Sequence, residues 1–588
     1  MNKEKIRNIA IIAHVDHGKT TLVDQMFKQA GMFRENQHIA ERFMDSMDLE
    51  RERGITITSK NASFRYSGYK INIIDTPGHA DFGGQVERVL KMADGVLLLV
   101  DAQEGPMPQT YFVLKKSLAL NLPTIVVINK IDKPAARPEW AVDQVFDLFV
   151  ELNAPDQILD FPVIFTSAKE GYILSEETGE KKSMEDLFEK IISYIPAPEG
   201  DPDAPLQMLV SSIEYSSYLG RLGVGKITGG TLNINKNIAV AKRDGTLVPA
   251  RISKVYTFEG NRKVPTDIAG VGEIVAVAGM DDVTLGVTYT DPDDPRPLPP
   301  MQIDPATIST NFLPNNSPFA GTEGKFSTSK HLTERLKREA LSDPSLIVEE
   351  LENGRGFKVS GRGELHLSIL IEKMRREGYE FEVTRPQVIM KKIDGRLMEP
   401  YEELTIDVNS DYMGTVIEKL GKRKGKLVKM DQNNNTTRLI YKIPTRGLLG
   451  FRSEFLTDTK GTGIMNHIFL EYGPFAGDIT TRNKGVMIVK ETCTTVAYAL
   501  FNLQDRGKLF YGPGVKVYAG QIIGEHCRPQ DMVVNPAKGK KLTNMRASGS
   551  DENVILTPPT QMSLEECISY INDDELMEVT PKNIRLRK

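Results

Sequence analysis

Ile9-Ala10-Ile11-Ile12-Ala13-His14-Val15-Asp16-His17-Gly18-Lys19-Thr20-Thr21 decides how the first third of the chain is read. An apolar, strand-like run leads into a tight loop, and a helical pattern follows, which is the order a phosphate cradle needs. Backbone N–H groups at such a helix start point toward an anion. Lys19 can reach the β- and γ-phosphates of a nucleotide, and the Thr20 hydroxyl can ligate magnesium. The stretch reads as a P-loop with one departure, Ala13 standing where the first Gly is usual. That Gly serves close backbone approach, and Ala is the next smallest residue.

Working outward, the strand-like run at 7–13 is followed by others at 70–75, 95–101, 123–129 and 162–167, with helical patterns at 20–30, 82–93, 108–120 and 138–152. This alternation predicts a doubly wound sheet with its ligand at the carboxyl ends of the strands. Polar residues gather at those ends. Asp75-Thr76-Pro77-Gly78-His79 closes the second run, placing Asp75 to hold magnesium through water and the Gly78 N–H to meet a γ-phosphate. Asn129-Lys130-Ile131-Asp132 closes the fourth. A carboxylate there accepts two hydrogen bonds from the N1 and N2 edge of guanine, which adenine cannot supply, while Asn129 and the Lys130 stem line the ring. Ser167-Ala168-Lys169 closes the last and can offer N–H groups to the guanine oxygen. In the charged loop Arg51-Glu52-Arg53-Gly54-Ile55-Thr56-Ile57, Thr56 is suited to complete the magnesium shell, and ordering of such a loop senses a γ-phosphate. The expected GTP site is therefore Asp16, His17, Gly18, Lys19, Thr20 and Thr21, with Gly78, Asn129, Lys130, Ile131, Asp132, Ser167, Ala168 and Lys169. Magnesium falls to Thr20, Thr56 and Asp75. A helix opening at Ser183-Met184-Glu185-Asp186 looks like a capping box, and a Pro-rich linker at 196–202 ends the domain.

The Ala13-to-Thr20 loop, Arg53-Gly54-Ile55-Thr56 and Asp75-to-His79 together resemble the translational GTPases. The resemblance implies that His79 replaces the glutamine that orients the attacking water in Ras-like proteins, placing that water once large-subunit ribosomal RNA draws it into position. It also implies a monovalent cation near Asp16. His14 reads as a loop histidine and His17 as a backbone contributor only. Catalysis in this class is placement and electrostatics. No arginine finger is evident, an element worth about 10³ to 10⁵ in rate, so slow intrinsic hydrolysis accelerated by a partner is expected.

At 588 residues the length suggests about four domains of roughly 150 residues. With 26% charged and 40% hydrophobic residues, the composition is that of an ordinary globular chain. A net charge of -5 gives no general attraction to nucleic acid, so RNA contact must come from local basic patches. The three cysteines, Cys493, Cys527 and Cys567, are too few and too widely spaced for a disulfide framework. With neither a signal peptide nor a membrane-length apolar run, a cytoplasmic protein away from membranes is expected.

Beyond the GTPase domain at 1–200, short β-patterned runs and glycine turns predict an antiparallel β-barrel at 201–302. Its Gly220-Arg221 and Gly225-to-Gly230 echo the second domain of translation factors. Two units follow with the split βαβ plan, expected as ferredoxin-like domains at 303–385 and 390–476. Val359-Ser360-Gly361-Arg362-Gly363-Glu364-Leu365-His366-Leu367 resembles the third domain of elongation factor G, where His366 reads as structural. Glu399-Pro400, Tyr412-Met413-Gly414 and Gly461-Thr462-Gly463 resemble that factor's last domain. The bridge between the two units is too short to hold the decoding-site domain of elongation factor G, which disfavours translocation by that route. A basic run from Lys419 to Lys429, including Lys422, Arg423, Lys424 and Lys426, reads either as a solvated helix end or as a contact to ribosomal RNA phosphates.

Residues 477–588 read as a compact mixed α/β domain whose long loop, 534–550, carries Lys538, Lys540, Lys541 and Arg546 without an acid. RNA contact is the favoured role for such a loop. With this tail the whole chain is expected to be a multidomain α/β protein resembling the BipA/TypA family. The resemblance implies a monomeric, ribosome-associated GTPase that lies between the two subunits, touches A-site tRNA and ribosomal RNA, and assists large-subunit assembly or translation under stress. Two alternatives stand beside it: an RNA-docking assembly factor that uses GTP only as a conformational switch, and a LepA-like back-translocase.

Overall fold

The computed structural model describes residues 2–588 apart from 15, 33–47, 54–58, 78–82, 176–178, 217, 281–282, 300–304, 344, 434–435, 480–481 and 540–554. The chain forms two compact units, 1–303 with 342–344 and 304–341 with 345–588. In the first, an eight-stranded sheet has the order Lys60–Tyr66, Tyr69–Asp75, Ile6–Ala13, Gly95–Asp101, Thr124–Asn129, Val163–Ser167, Tyr172–Leu174, Lys181–Lys182. The five strands from Tyr69–Asp75 to Val163–Ser167 run parallel, and the outer ones are antiparallel additions. Ile6–Ala13 and Gly95–Asp101 are buried along their whole lengths, which explains the unbroken apolar stretches at 9–13 and 96–100 within them. Helices Lys19–Gln29, Gly83–Leu90, Pro108–Ala119 and Pro138–Glu151 fall close to the expected stretches. The expected capping box at Ser183 does not form. Met184 is the N-cap of helix Glu185–Tyr194; Gln29 Oε1 accepts its N–H at 2.7 Å, and Ser183 Oγ accepts the Glu185 N–H at 3.4 Å.

The same unit holds the antiparallel barrel strands, from Gln207–Leu209 to Thr288–Thr290, around a core that includes Leu206, Met208, Val240, Val275 and Tyr289. Polar contacts join sheet and barrel. Lys70 Nζ meets Glu273 Oε2 at 2.6 Å with both side chains almost fully buried. Asp94 takes Lys226 Nζ at 2.8 Å and Asn8 Nδ2 at 2.7 Å. Ser63 and Gly260 exchange backbone hydrogen bonds at 3.0 and 2.8 Å.

In the second unit, Ile308–Pro314, Ser329–Ser342, Ile347–Glu350, Phe357–Gly361, Glu364–Arg376 and Phe381–Thr384 make a βαββαβ unit with an antiparallel sheet. His366 is buried on its second helix. Arg396–Asn409, Ser410–Lys422, Lys426–Asn433, Thr436–Pro444, Phe451–Asp458 and Ile464–Pro474 repeat the plan. Strands of the C-terminal region extend the sheet of the first βαββαβ unit. Leu576–Val579 pairs with Phe381–Thr384, and Ile584–Arg587 pairs with both Leu576–Val579 and Gln521–His526, so one sheet runs from the first βαββαβ unit into the last hundred residues. A buried carboxylate fixes this junction: Glu578 accepts from Ser317 Oγ at 2.7 Å, Tyr518 OH at 2.7 Å and Asn315 Nδ2 at 3.1 Å. The late helix Leu564–Tyr570 carries a capping box, Ser563 with Glu566.

Candidate nucleotide site

The loop after Ile6–Ala13 is shaped by two left-handed residues, Asp16 at φ +68° and Gly18 at φ +95°. A Cβ at Gly18 would stand 2.5 Å from Asn129 Nδ2, so glycine is required there by space as well as by conformation. Gly18 is the N-cap of helix Lys19–Gln29, and its carbonyl accepts the Leu22 N–H at 2.9 Å. The helix is held down by Leu22, Val23, Met26 and Phe27, all buried in the core under the sheet. The first-turn N–H groups of this helix and the Lys19 ammonium therefore share one rim of the sheet, as anion binding needs.

Three strand ends meet this loop. Asp75, buried at the end of Tyr69–Asp75, lies 2.9 Å from Lys19 Nζ through Oδ1. Lys19 Nζ also donates to the Thr76 carbonyl, and Thr76 Oγ1 donates to the Ile11 carbonyl at 2.7 Å. The Thr20 hydroxyl and the Asp75 carboxylate supply hard oxygen donors of the kind magnesium takes. Thr56, Gly78 and His79 lie outside the described residues.

The guanine-side residues form a second cluster joined to the first. Asn129 Nδ2 donates to the His17 carbonyl at 2.8 Å while its Oδ1 accepts the Ala168 N–H at 2.9 Å, so Asn129 ties the phosphate loop to the Ser167-Ala168-Lys169 loop. This joining role was not evident in the sequence, which suggested only that Asn129 lines the ring. Lys130, left-handed at φ +62°, sends Nζ to Asp101 Oδ2 at 2.8 Å. The Ile131 N–H reaches the Thr166 carbonyl at 3.4 Å. Ser167 is fully buried, whereas Asp132 and Lys169 are exposed.

Sequence reasoning missed Asp101, Glu104 and Lys133. Asp101 ends the central strand Gly95–Asp101 and is fully buried. Burial alone would raise its carboxyl, but hydrogen bonds from Lys130, the Gln103 N–H and Lys133 outweigh it and hold the group below the ordinary carboxylate range. Its position at a strand end, the criterion that picked out Asp75 and Asn129, was the available signal. His17 also departs from the reading as backbone only. Its ring is fully buried, with Nδ1 3.3 Å from the Asp101 N–H and Nε2 3.6 Å from Glu104 Oε2.

The basic patches are placed unevenly. Lys419 pairs with Asp458 at 2.6 Å, Lys422 with Glu418 at 2.6 Å, and Lys429 with Asp431 at 2.8 Å. Arg423 donates to the Gly447 and Leu449 carbonyls and pairs with Glu454 at 3.1 Å, an engagement that holds its helix end to the neighbouring turn. Lys424 and Lys426 are exposed. In the C-terminal loop Lys538 is exposed, and Lys540, Lys541 and Arg546 lie outside the described residues. Among the described residues no group of His, Cys, Asp and Glu is arranged for a protein-only metal site, and no helix is long and apolar enough to cross a membrane.

Comparison with known proteins agrees with this geometry. The elongation factor Tu GTP binding domain matches residues 4–197, the elongation factor G C-terminus residues 396–483, and the TypA/BipA C-terminal domain residues 484–588. The chain is 51% identical over 587 residues to the large ribosomal subunit assembly factor BipA of Salmonella typhimurium (strain LT2), covering 100% of this chain and 97% of that one. It is 52% identical over 584 residues to the protein of that name from Synechocystis sp., covering 99% and 98%, and 49% identical over 588 residues to that of Bacillus subtilis (strain 168), covering 100% and 96%. The crystal structure of ttk003000868 from Thermus thermophilus shares the fold, with a TM-score of 0.57 at 16% identity over 80% of this chain and 98% of that one. A P-loop on a parallel sheet, an elongation factor Tu type domain around it and full-length identity of about half to these proteins lead to one conclusion: the chain belongs to the BipA/TypA family and is a GTPase.

Proposed function

We propose that this GTPase acts on the ribosome as a large-subunit assembly factor, using slow intrinsic hydrolysis that the ribosome accelerates. The observation that carries the reading is the joining of Lys19, Asp75, Asn129 and the Ser167-Ala168-Lys169 loop at one sheet rim, in a chain that matches named assembly factors over its whole length. In this reading Asp132 accepts from the guanine edge, and Ser167, Ala168 and Lys169 face the guanine oxygen. Asp16, His17, Gly18, Lys19, Thr20 and Thr21 hold the phosphates. Thr20, Thr56 and Asp75 would hold magnesium, which when bound neutralises charge building on the β- and γ-phosphoryl oxygens. Asp16 would bring a monovalent cation, and His79 would orient the attacking water. The division into 1–200, 201–302, 303–385, 390–476 and 477–588 is part of the same proposal, as are a monomeric state, a cytoplasmic setting and contact with both subunits.

RNA contact is assigned to Lys538, Lys540, Lys541 and Arg546, with Lys424 and Lys426 as further exposed cations. Lys422 and Arg423, already paired with acids or carbonyls, would contribute less. GTP turnover by the purified protein, measured with and without intact ribosomes, tests the reading. Stimulation that disappears in His79→Ala while GTP-dependent ribosome binding persists is the expected result. Equal turnover in both conditions would refute it. Replacing the four loop cations by Ala should weaken ribosome binding and flatten its dependence on salt.

A further inference from the structure

The His17 imidazole lies between the two halves of the nucleotide site and touches both through different atoms. Its Nδ1 is 3.3 Å from the Asp101 backbone N–H and 3.4 Å from the Leu99 carbonyl, and its Nε2 is 3.6 Å from Glu104 Oε2. A carboxylate facing Nε2 favours a proton on that nitrogen, and with that tautomer Nδ1 accepts from the Asp101 N–H. Contact with His17 holds the Glu104 carboxyl below its ordinary range. The backbone carbonyl of the same residue accepts from Asn129 Nδ2 at 2.8 Å.

Two partners of His17, Asp101 and Asn129, are themselves fixed to the guanine side. Asp101 receives Lys130 Nζ at 2.8 Å and Lys133 Nζ at 3.1 Å on Oδ2, and the Gln103 N–H at 2.7 Å on Oδ1. The Asn129 carbonyl accepts the Ala102 N–H at 2.9 Å. The segment 101–104 is thus held by the guanine loop from one side and holds the phosphate loop through the His17 ring from the other. Asp16 and Gly18, on either side of His17, are both left-handed, so the loop backbone depends on such outside anchors to keep its shape.

We propose that His17, with Glu104, is a positioning residue that makes phosphate affinity depend on the order of the guanine loop. In this role the His17 and Glu104 side chains act through the loop they anchor, while the His17 backbone belongs to the phosphate loop itself. The inference rests on the reading of this rim as the guanine nucleotide site, and it assigns the coupling between the two halves to a specific contact.

The test compares GDP, which uses both halves, with guanosine, which uses only the base half, by competition against a fluorescent guanine nucleotide. In Glu104→Ala and His17→Ala, GDP affinity should fall about tenfold with the loss of this charged contact, while guanosine affinity stays within about twofold. His17→Gln, which keeps a donor at the Nε2 position, should recover most of the loss. The double variant should be no weaker than either single variant, since one contact is being removed. Glu104 is on the surface, so its variant keeps the question open to measurement if His17→Ala fails to fold. Unchanged GDP affinity in Glu104→Ala, or equal losses for GDP and guanosine, would overturn the proposal. Failure of the wild-type protein to bind GDP would instead overturn the reading of the site on which it rests.

Discussion

Glu273→Ala offers the sharpest test of how the nucleotide-binding sheet is fixed to the barrel. Lys70 and Glu273 are almost completely buried and their charged atoms are 2.6 Å apart. Removing the carboxylate leaves an ammonium without its counter-charge in a place water reaches poorly, and breaking a buried pair in this way costs about 3–5 kcal/mol. Replacing both partners by apolar residues of similar size, Lys70→Met with Glu273→Leu, removes the desolvation cost together with the attraction and should come within about 1 kcal/mol of wild type. For a cooperative unit of this size each kcal/mol moves the midpoint by about 2 °C, so Glu273→Ala should melt about 6–10 °C lower. Differential scanning fluorimetry of the full chain, following the lower transition, measures it. A single variant within about 1–2 °C of wild type, or a double variant as unstable as the single, would show that this pair is not the fixing contact, leaving Asp94 with Lys226 and Asn8 as the junction to test.

Two further outcomes are expected. Asp132→Asn should lower GTP affinity by about 10²–10⁴, the loss of two hydrogen bonds to a charged acceptor, and should favour xanthosine over guanosine nucleotides in a competition assay; retained guanine preference would remove Asp132 from its assigned role. Asp101 has a carboxyl held below its ordinary value, so its stabilising effect is complete above about pH 4 and is lost as pH falls through the lower folded value. Asp101→Asn should therefore be less stable than wild type at pH 7 by about 1–3 kcal/mol, and the gap should narrow on acidification below about pH 4 in urea titrations. A gap that stays constant with pH would contradict the assignment.

What could be read from the sequence was whatever is encoded locally. The parallel strands announce themselves because a strand buried on both faces is rich in apolar residues, as at 9–13 and 96–100. Lys60–Tyr66 escaped notice because Lys60, Arg65 and Tyr66 dilute its pattern where it lies at the sheet edge. The phosphate loop and its flanking strand ends were legible for the same local reason, with side-chain types fixed by chemistry at fixed offsets. The His17 ring was not, since its partners Asp101 and Glu104 come from a strand end more than eighty residues away. Counting charges along 419–429 likewise overlooked the acids that neutralise them, Glu454 and Asp458, which the fold brings from the next helix.

The sheet shared between Phe381–Thr384 and Leu576–Val579 sets an order of events during synthesis. Roughly 190 residues separate these strands, which at about 5–20 residues per second means a wait of some ten to forty seconds between their emergence. Throughout that interval Phe381–Thr384 presents an open edge to the surroundings, a hazard for association with other nascent chains. A product cut short before Leu576 would keep that edge for its lifetime, giving chaperones and proteases a mark by which unfinished copies are recognised.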